Sequence, residues 1–354
     1  MTSDAAMKDE VRTSPLEGPN GDALAQWLEQ NVPGRAPYEL IAMQAASTSN
    51  EMWEVRDVDG QRWALRRPPA IKNAPTAHDV LREFRLIGAL DGTEVPHPSP
   101  VAVCHDESLL GAPFYVMTHV DGIVLQPPLP GWAEVPANRM PIGLELVDAI
   151  AKLSRVDWQA QGLAGFGKPD GYLDRQVDRW LGQLAKYRTR DIPGLDDLAA
   201  WLREHRPAAQ PSGILHGDYS IFNVLFAPEA PARLVAVVDW ETATIGDPLV
   251  DLGWVVAQWS EPGEPPVLDT GITHLEGMAS RRDIVQRYAE QSGRDVTAVA
   301  YYAALASFKL VCIVEGSWNR FVNGRSTNPK HAVFEKLVPE LTQHALGITR
   351  GEWV

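Results

Sequence analysis

The sequence predicts a two-lobed α+β protein, a small antiparallel β-sheet lobe with one helix followed by a larger, mainly helical lobe. Three observations carry this. Apolar residues alternate with period two in the first third, as in Trp53 and Val55, then Trp63 and Leu65, around an Asp59-Gly60 turn. After Gly122 the period becomes helical, as in Ile142, Leu146, Ile150 and Leu153. Within the helical part lies one β-hairpin, roughly residues 224–238, with polar residues at its open end.

The bulk numbers permit this architecture and exclude others. The chain has 354 residues, 45% hydrophobic and 22% charged, enough for two lobes with a sizeable core. Its net charge of −14 speaks against nucleic-acid binding, which needs a basic face. Cys104 and Cys312 lie far apart and outside any CxxC or Cys/His cluster, so reduced buried thiols are expected. The N-terminus lacks an apolar h-region, and no stretch reads as long and apolar enough to span a membrane. A cytoplasmic protein with no membrane and no obligate protein partner is the expectation.

The elements follow in order. Residues 1–20 are polar and are expected to form a disordered tail. The N-terminal lobe is placed at 21–120. A short amphipathic helix carries Leu24, Trp27 and Leu28 on one face, and the Trp53–Leu65 hairpin follows. A helix from about His78 to Leu90 comes next, then strands VAVCHD and FYVMTHV around Gly111-Ala112-Pro113. The helical lobe is placed at 121–354, with further helices near 173–187, 195–205, 248–259, 280–291 and 297–321.

The chemistry concentrates around the hairpin. ILHGDYSIFNVLF contains His216, Asp218 and Asn223, and VAVVDWE contains Asp239. The midpoint of 223 and 239 is 231, inside the turn, so symmetric pairing sets Asn223 beside Asp239 at the open end. An Asn carbonyl and an Asp carboxylate make a hard-oxygen site suited to Mg²⁺. Asp218, one short loop earlier, can orient a hydroxyl and accept its proton. This division of labour is the one phosphoryl transfer requires. Taken singly, each residue has a plainer reading as a turn cap or helix N-cap; the combination with strand flanks favours the chemistry.

HGDYSIFNVLF followed by VVDWETATIGDPLVDLGWV resembles the aminoglycoside phosphotransferase and choline kinase superfamily, which has the protein-kinase-like fold. GYLDRQVDRWLGQL, RWALRRPP, GAPFYVMTHVDG and YYAALASFKLVCIVEGSW resemble the subgroup of phosphotransferase domains fused to acyl-CoA dehydrogenases. The resemblance implies an ATP- (or GTP-) and Mg²⁺-dependent kinase of a small-molecule hydroxyl. It implies Asp218 as catalytic base, His216 as a mainly structural catalytic-loop residue, and Asn223 and Asp239 as metal ligands. Asp247 and Asp251 match its GDP-x-x-D element. Read locally, Asp247 before Pro248 is a helix N-cap, and Asp251 is either a brace for the catalytic loop or a helix-dipole carboxylate.

On the nucleotide side the resemblance sets Arg66 at the strand cation, with Ala64 on the same strand face. Glu83 is its candidate helix partner, or else part of a solvated helix face. Thr118 to Val120 are expected to present backbone groups to adenine, with Met117 behind. The phosphate loop departs from the family pattern: AASTSNEMW has no glycine, leaving Ser47, Thr48, Ser49 and Asn50 as side-chain donors. Ser220 and Phe222 stand where the subgroup often has a cation and a carboxylate.

Other features read as decoys or open questions. GLAGFGKP matches GxxxxGK but follows a helix and has Pro169 at the magnesium-binding position, so it is rejected as a P-loop. Trp254, Trp259 and Trp318 are either helix core or an acceptor pocket. Glu241 and Glu315 are either structural or ligands for a cationic acceptor. Competing functions are a nucleotide-binding protein with little or no catalysis and, more distantly, a metal-dependent hydrolase.

Overall fold

The computed structural model describes residues 14–43, 50–69, 79–264, 271–326 and 328–352. The chain divides into two compact units, Met1–Asp91 with His97–Val120, and Gly92–Pro96 with Asp121–Val354.

The first unit is built on a five-stranded antiparallel sheet. Its strands are β1 (Glu39–Ala42), β2 (Glu51–Arg56), β3 (Arg62–Arg67), β4 (Pro100–Cys104) and β5 (Phe114–Thr118), in the order β1-β2-β3-β5-β4. The β2–β3 hairpin pairs Trp53 with Leu65 and Val55 with Trp63, so the alternating apolar residues share one face. That face meets α1 (Gly21–Asn31), which buries Leu24 and Leu28 and sets Trp27 edge-on to Phe114 at 4.8 Å. Helix α2 (Val80–Leu90) starts where Asp79 accepts the Arg82 amide at 3.0 Å. A four-residue helix, α3 (Glu107–Leu110), joins β4 to β5 and ends on left-handed Gly111.

Part of the expected tail is ordered. Pro15–Glu17 form a 3₁₀ turn in which Ser14 Oγ accepts the Leu16 amide. Leu16 packs on the same core, and a Cβ on Gly21 would lie 1.9 Å from its carbonyl oxygen. One apolar side chain next to a proline with preset φ suffices to fasten a polar segment. Residues 1–13 lie outside the described residues, as does His78.

The second unit is mainly helical. Its helices are α4 (Gly131–Glu134), α5 (Met140–Arg155), α6 (Gln176–Leu184), α7 (Leu195–Glu204), α8 (Leu249–Ala257), α9 (Arg281–Ser292), α10 (Val299–Val322) and α11 (Phe334–Thr349). Two short antiparallel ladders lie among them. One pairs β6 (Gly213–Leu215) with β9 (Thr244–Gly246), and the other pairs β7 (Val224–Phe226) with β8 (Leu234–Val237). The β6–β9 ladder and α11 go beyond the sequence expectation. In α11 a proline, Pro339, sits inside the helix and masks a stripe in which Val338, Leu341, Ala345 and Ile348 are buried.

Helix α10 corrects the reading that no stretch could span a membrane. By length and composition it is long and apolar enough, but 78% of its apolar window is buried inside the protein. It packs against α8 and α11. The approach to α8 is close: a Cβ on Gly253 would lie 2.5 Å from the Tyr302 backbone. The apolarity therefore serves a core helix.

Candidate active site

The hairpin register differs from the symmetric expectation by one residue. Val224 pairs with Val237, and the Val238 amide donates to Asn223 O at 2.9 Å, so Asn223 faces Val238 and Asp239 comes one step later. An irregularity between Leu225 and Phe226 shifts the register, which a midpoint count cannot anticipate. A one-residue slip would turn Asp239 to the opposite face. Asp239 itself lies past the end of β8 and has φ +65°, the one non-glycine with positive φ among the described residues. Such a conformation costs of order 1–3 kcal/mol and persists where surrounding structure imposes it. Trp240 locks the turn, donating its indole N–H to Val237 O at 3.1 Å and packing 4.8 Å from the His216 ring.

Asp218 is the centre of this arrangement. Asn223 Nδ2 donates to Asp218 O at 2.8 Å and reaches its carboxylate at 3.4 Å. The Asn223 amide nitrogen is thus committed to Asp218, which leaves the carbonyl end as the oxygen donor. Desolvation raises the Asp218 carboxyl above the usual aspartate range; Lys309 pulls it down, and the Asp239 charge adds to the rise. That mutual repulsion between two nearby carboxylates is what a bound cation relieves. Among the described residues no group of three or more His, Cys, Asp or Glu side chains could cage a metal. An Asn oxygen with one Asp carboxylate, completed by phosphate oxygens, fits Mg²⁺ better than a dedicated protein cage does.

His216 is fully buried, with both ring nitrogens engaged. Nε2 lies 2.9 Å from Val238 O, and Nδ1 accepts the Asp218 amide at 3.3 Å. It ties the catalytic loop to the hairpin and has no exposed atom to offer a substrate. Asp251 settles between its two readings. Its oxygens accept the His216 amide at 2.7 Å and the Gly217 amide at 2.9 Å, so it braces the loop. Asp247 is not the N-cap of α8, which is Pro248; one residue earlier, it accepts the Leu249 amide at 3.1 Å and takes the Tyr302 hydroxyl at 2.6 Å. Asp251→Asn sets an NH₂ group against one of two amide donors. We expect it to cost about 1–3 kcal/mol of stability, read as a lower denaturant midpoint with an unchanged slope.

In the first unit Arg66 and Glu83 form a buried pair. Arg66 Nε lies 2.8 Å from Glu83 Oε2, with side-chain exposures of 9% and 2%. Tyr115 donates its hydroxyl to Glu83 at 3.1 Å, and Asn50 Nδ2 approaches at 3.4 Å. Glu83 is therefore no solvated helix face. Ala64 pairs with Met117 in the β3–β5 register, and both are buried. The Thr118 amide donates to Ser99 O at 2.9 Å, so it is committed within the sheet. Val120 follows the end of β5 and is half-buried. Ser47, Thr48 and Ser49 lie outside the described residues.

The pattern of the family described as "Phosphotransferase enzyme family" matches residues 43–284. The chain belongs to that family. A curated relative, acyl-CoA dehydrogenase family member 10 of Mus musculus, is 31% identical over 92% of this chain, which spans only 30% of that protein's length. A solved structure from Ralstonia eutropha, provisionally assigned as an aminoglycoside phosphotransferase, is 32% identical. It superposes with a TM-score of 0.80 over 93% of this chain and 98% of that one. An amicoumacin kinase solved with AMP-PNP, Ca²⁺ and amicoumacin shares the fold at 13% identity, with a TM-score of 0.60 over 91% and 93% of the two chains.

Two features of this phosphotransferase lay beyond the motif. The first is a small cavity of about 80 Å³ beside Asp218, lined by Leu146, Tyr219, Ile221, Phe222, Val255 and Trp259 among others. Trp259 is buried and lines this cavity, while Trp254 lies under Lys309 and Trp318 under Arg190. The second is Lys309 in α10, whose ammonium donates to Gly217 O. Burial pulls that ammonium below the ordinary lysine range, and Asp218 and Asp251 push it back up. A single lysine inside the run YYAALASFKLVC was the available signal. Glu315 is buried against Arg190 at 2.9 Å and is structural. The GLAGFGKP segment is a packed turn, where a Cβ on Gly167 would lie 2.6 Å from the Ile245 amide.

Proposed function

We propose that the chain is an ATP- and Mg²⁺-dependent kinase of a small-molecule hydroxyl, with Asp218 as base and Asn223 and Asp239 as metal ligands. The observation that carries this is the cluster at the hairpin's open end, where Asn223 holds Asp218 and the charges of Asp218 and Asp239 interact. The AMP-PNP and Ca²⁺ of the amicoumacin kinase complex support the choice of nucleotide and divalent ion.

Asp218 orients the acceptor hydroxyl and takes its proton as the oxygen bonds to the γ-phosphorus of ATP and the bond from that phosphorus to the leaving ADP breaks. A divalent ion at Asn223 and Asp239 would neutralise phosphate charge. In the first unit, Arg66 is the candidate phosphate ligand, held by Glu83, with Asn50 close by and Ser49 as a further donor. Ala64, Met117, Thr118 and Val120 are the candidate adenine surroundings. The apolar lining beside Asp218 favours a hydroxyl carried on an uncharged, apolar body over a polycationic aminoglycoside.

The test is ADP release from Mg-ATP with a panel of uncharged apolar alcohols, hydroxy acids, amino alcohols, macrolides and aminoglycosides. Release is expected with acceptors of the first kind and should vanish with EDTA, returning on added Mg²⁺. Tight ATP binding without turnover on any acceptor would instead mark a nucleotide-binding protein.

A further inference from the structure

We propose that Lys309 is a positioning residue for phosphoryl transfer: from α10 its ammonium fixes the Gly217–Asp218 peptide through the Gly217 carbonyl and so aims the Asp218 carboxylate. The aim matters through the kinase reading above; the fixing of the peptide does not depend on it.

The Gly217 peptide groups are gripped from both sides. The Gly217 amide donates to Asp251 Oδ1 at 2.9 Å, and its carbonyl accepts from Lys309 Nζ. Gly217 has φ +84°, and a Cβ there would lie 2.8 Å from Thr242 O, so a side chain at this position is excluded. Thr242 Oγ1 donates to His216 O at 2.8 Å, fixing the preceding peptide. The Asp218 amide rests on His216 Nδ1. Two successive peptides, 216–217 and 217–218, are thus each held at both N–H and C=O, and Lys309 is the cation among their partners.

The lysine is itself aimed. Nζ lies 3.9 Å from the Trp254 ring centroid on α8 and 5.8 Å from that of Trp180 on α6. Aromatic faces attract an ammonium most when it is desolvated. Its neighbours Phe308 and Leu310 are buried, so the helix carries this charge within its apolar segment. The other charge of that buried segment, Glu315, is matched by Arg190. Lys309 is matched by the catalytic loop, through Gly217 O and the nearby charges of Asp218 and Asp251. Ser220 of the loop is uncharged, and α10 brings a positive charge to the loop at Gly217.

Two readouts test this with Lys309→Met and Lys309→Arg. The first is amide hydrogen exchange of the 216–220 segment in the nucleotide-free protein. Lys309→Met should speed it about tenfold, and Lys309→Arg should restore most of the protection. The second is turnover of the best acceptor from the panel. Lys309→Met should lower kcat about 10²-fold with the ATP KM within about threefold, because a misaimed group loses rate without losing nucleotide. Unchanged exchange and kcat would overturn the proposal, as would equal losses in kcat, ATP KM and melting temperature. If Lys309→Met does not fold, Lys309→Gln takes its place with the same expectations; failure of both to fold would make Lys309 a folding determinant and overturn its positioning role. If the wild-type protein turns over no acceptor, the kinase reading fails, while the exchange result still decides the role of Lys309.

Discussion

Asp218→Asn is expected to lower acceptor-dependent ADP release by about 10²–10⁴-fold while leaving Mg-ATP affinity within a few-fold of wild type. The substitution keeps the size of the side chain, so Asn223 can still donate to the 218 backbone oxygen, a contact of 2.8 Å. What is lost is the carboxylate that receives the hydroxyl proton. The loop itself should stand, because its braces are Asp251, His216 and Lys309. Removing the Asp218 charge takes away one nearby anion but leaves the Asn223 and Asp239 oxygens in place, so any weakening of Mg-ATP binding should stay within that few-fold range. Steady-state kinetics beside calorimetric ATP titration separates the two effects. Retained turnover would move the base elsewhere, and lost ATP affinity would move Asp218 into the nucleotide site.

Glu83→Leu is the second large effect, and it should appear in stability as well as binding. Arg66 is 9% exposed at its side chain and has Glu83 as its buried counter-charge. Truncating Glu83 removes this buried counter-charge from Arg66, at a cost of about 3–5 kcal/mol. Tyr115 and Asn50 would lose their acceptor as well. Chemical denaturation should show the lower midpoint, and ATP affinity should fall because Arg66 is no longer held in place. The double variant Glu83→Leu with Arg66→Met should regain much of the stability and none of the ATP affinity. That split distinguishes a structural ion pair from one that presents a phosphate ligand.

The sequence carried the large elements because they are local. The β2–β3 hairpin follows from alternation and an Asp-Gly turn, and α5 follows from helical spacing. The residue types at the hairpin's open end were equally legible. What escaped has a common physical cause, dependence on partners distant in the chain or on an irregular backbone. Lys309 meets Gly217 across 92 positions, and no periodicity announces such a contact. The β6–β9 ladder joins residues some 30 apart through three-residue strands, too short to alternate visibly. The register of the β7–β8 hairpin was offset by an irregularity that symmetry could not foresee. Pro339 sits inside α11, where burial of one stripe outweighs its local cost to the helix.

The left-handed backbone at Asp239 narrows what a protein engineer can install there. Glycine accepts that conformation most readily but brings no oxygen ligand. Glutamate brings a carboxylate on a longer stem and lacks the short polar side chain that tolerates the geometry. Asparagine alone among the replacements meets both demands, since it visits left-handed space and offers a carbonyl oxygen. Retuning the charge at this position thus comes in a single conservative step, from one negative charge to none. If the proposed metal site holds, a broader change of metal preference would have to begin at Asn223, whose backbone lies in the ordinary range.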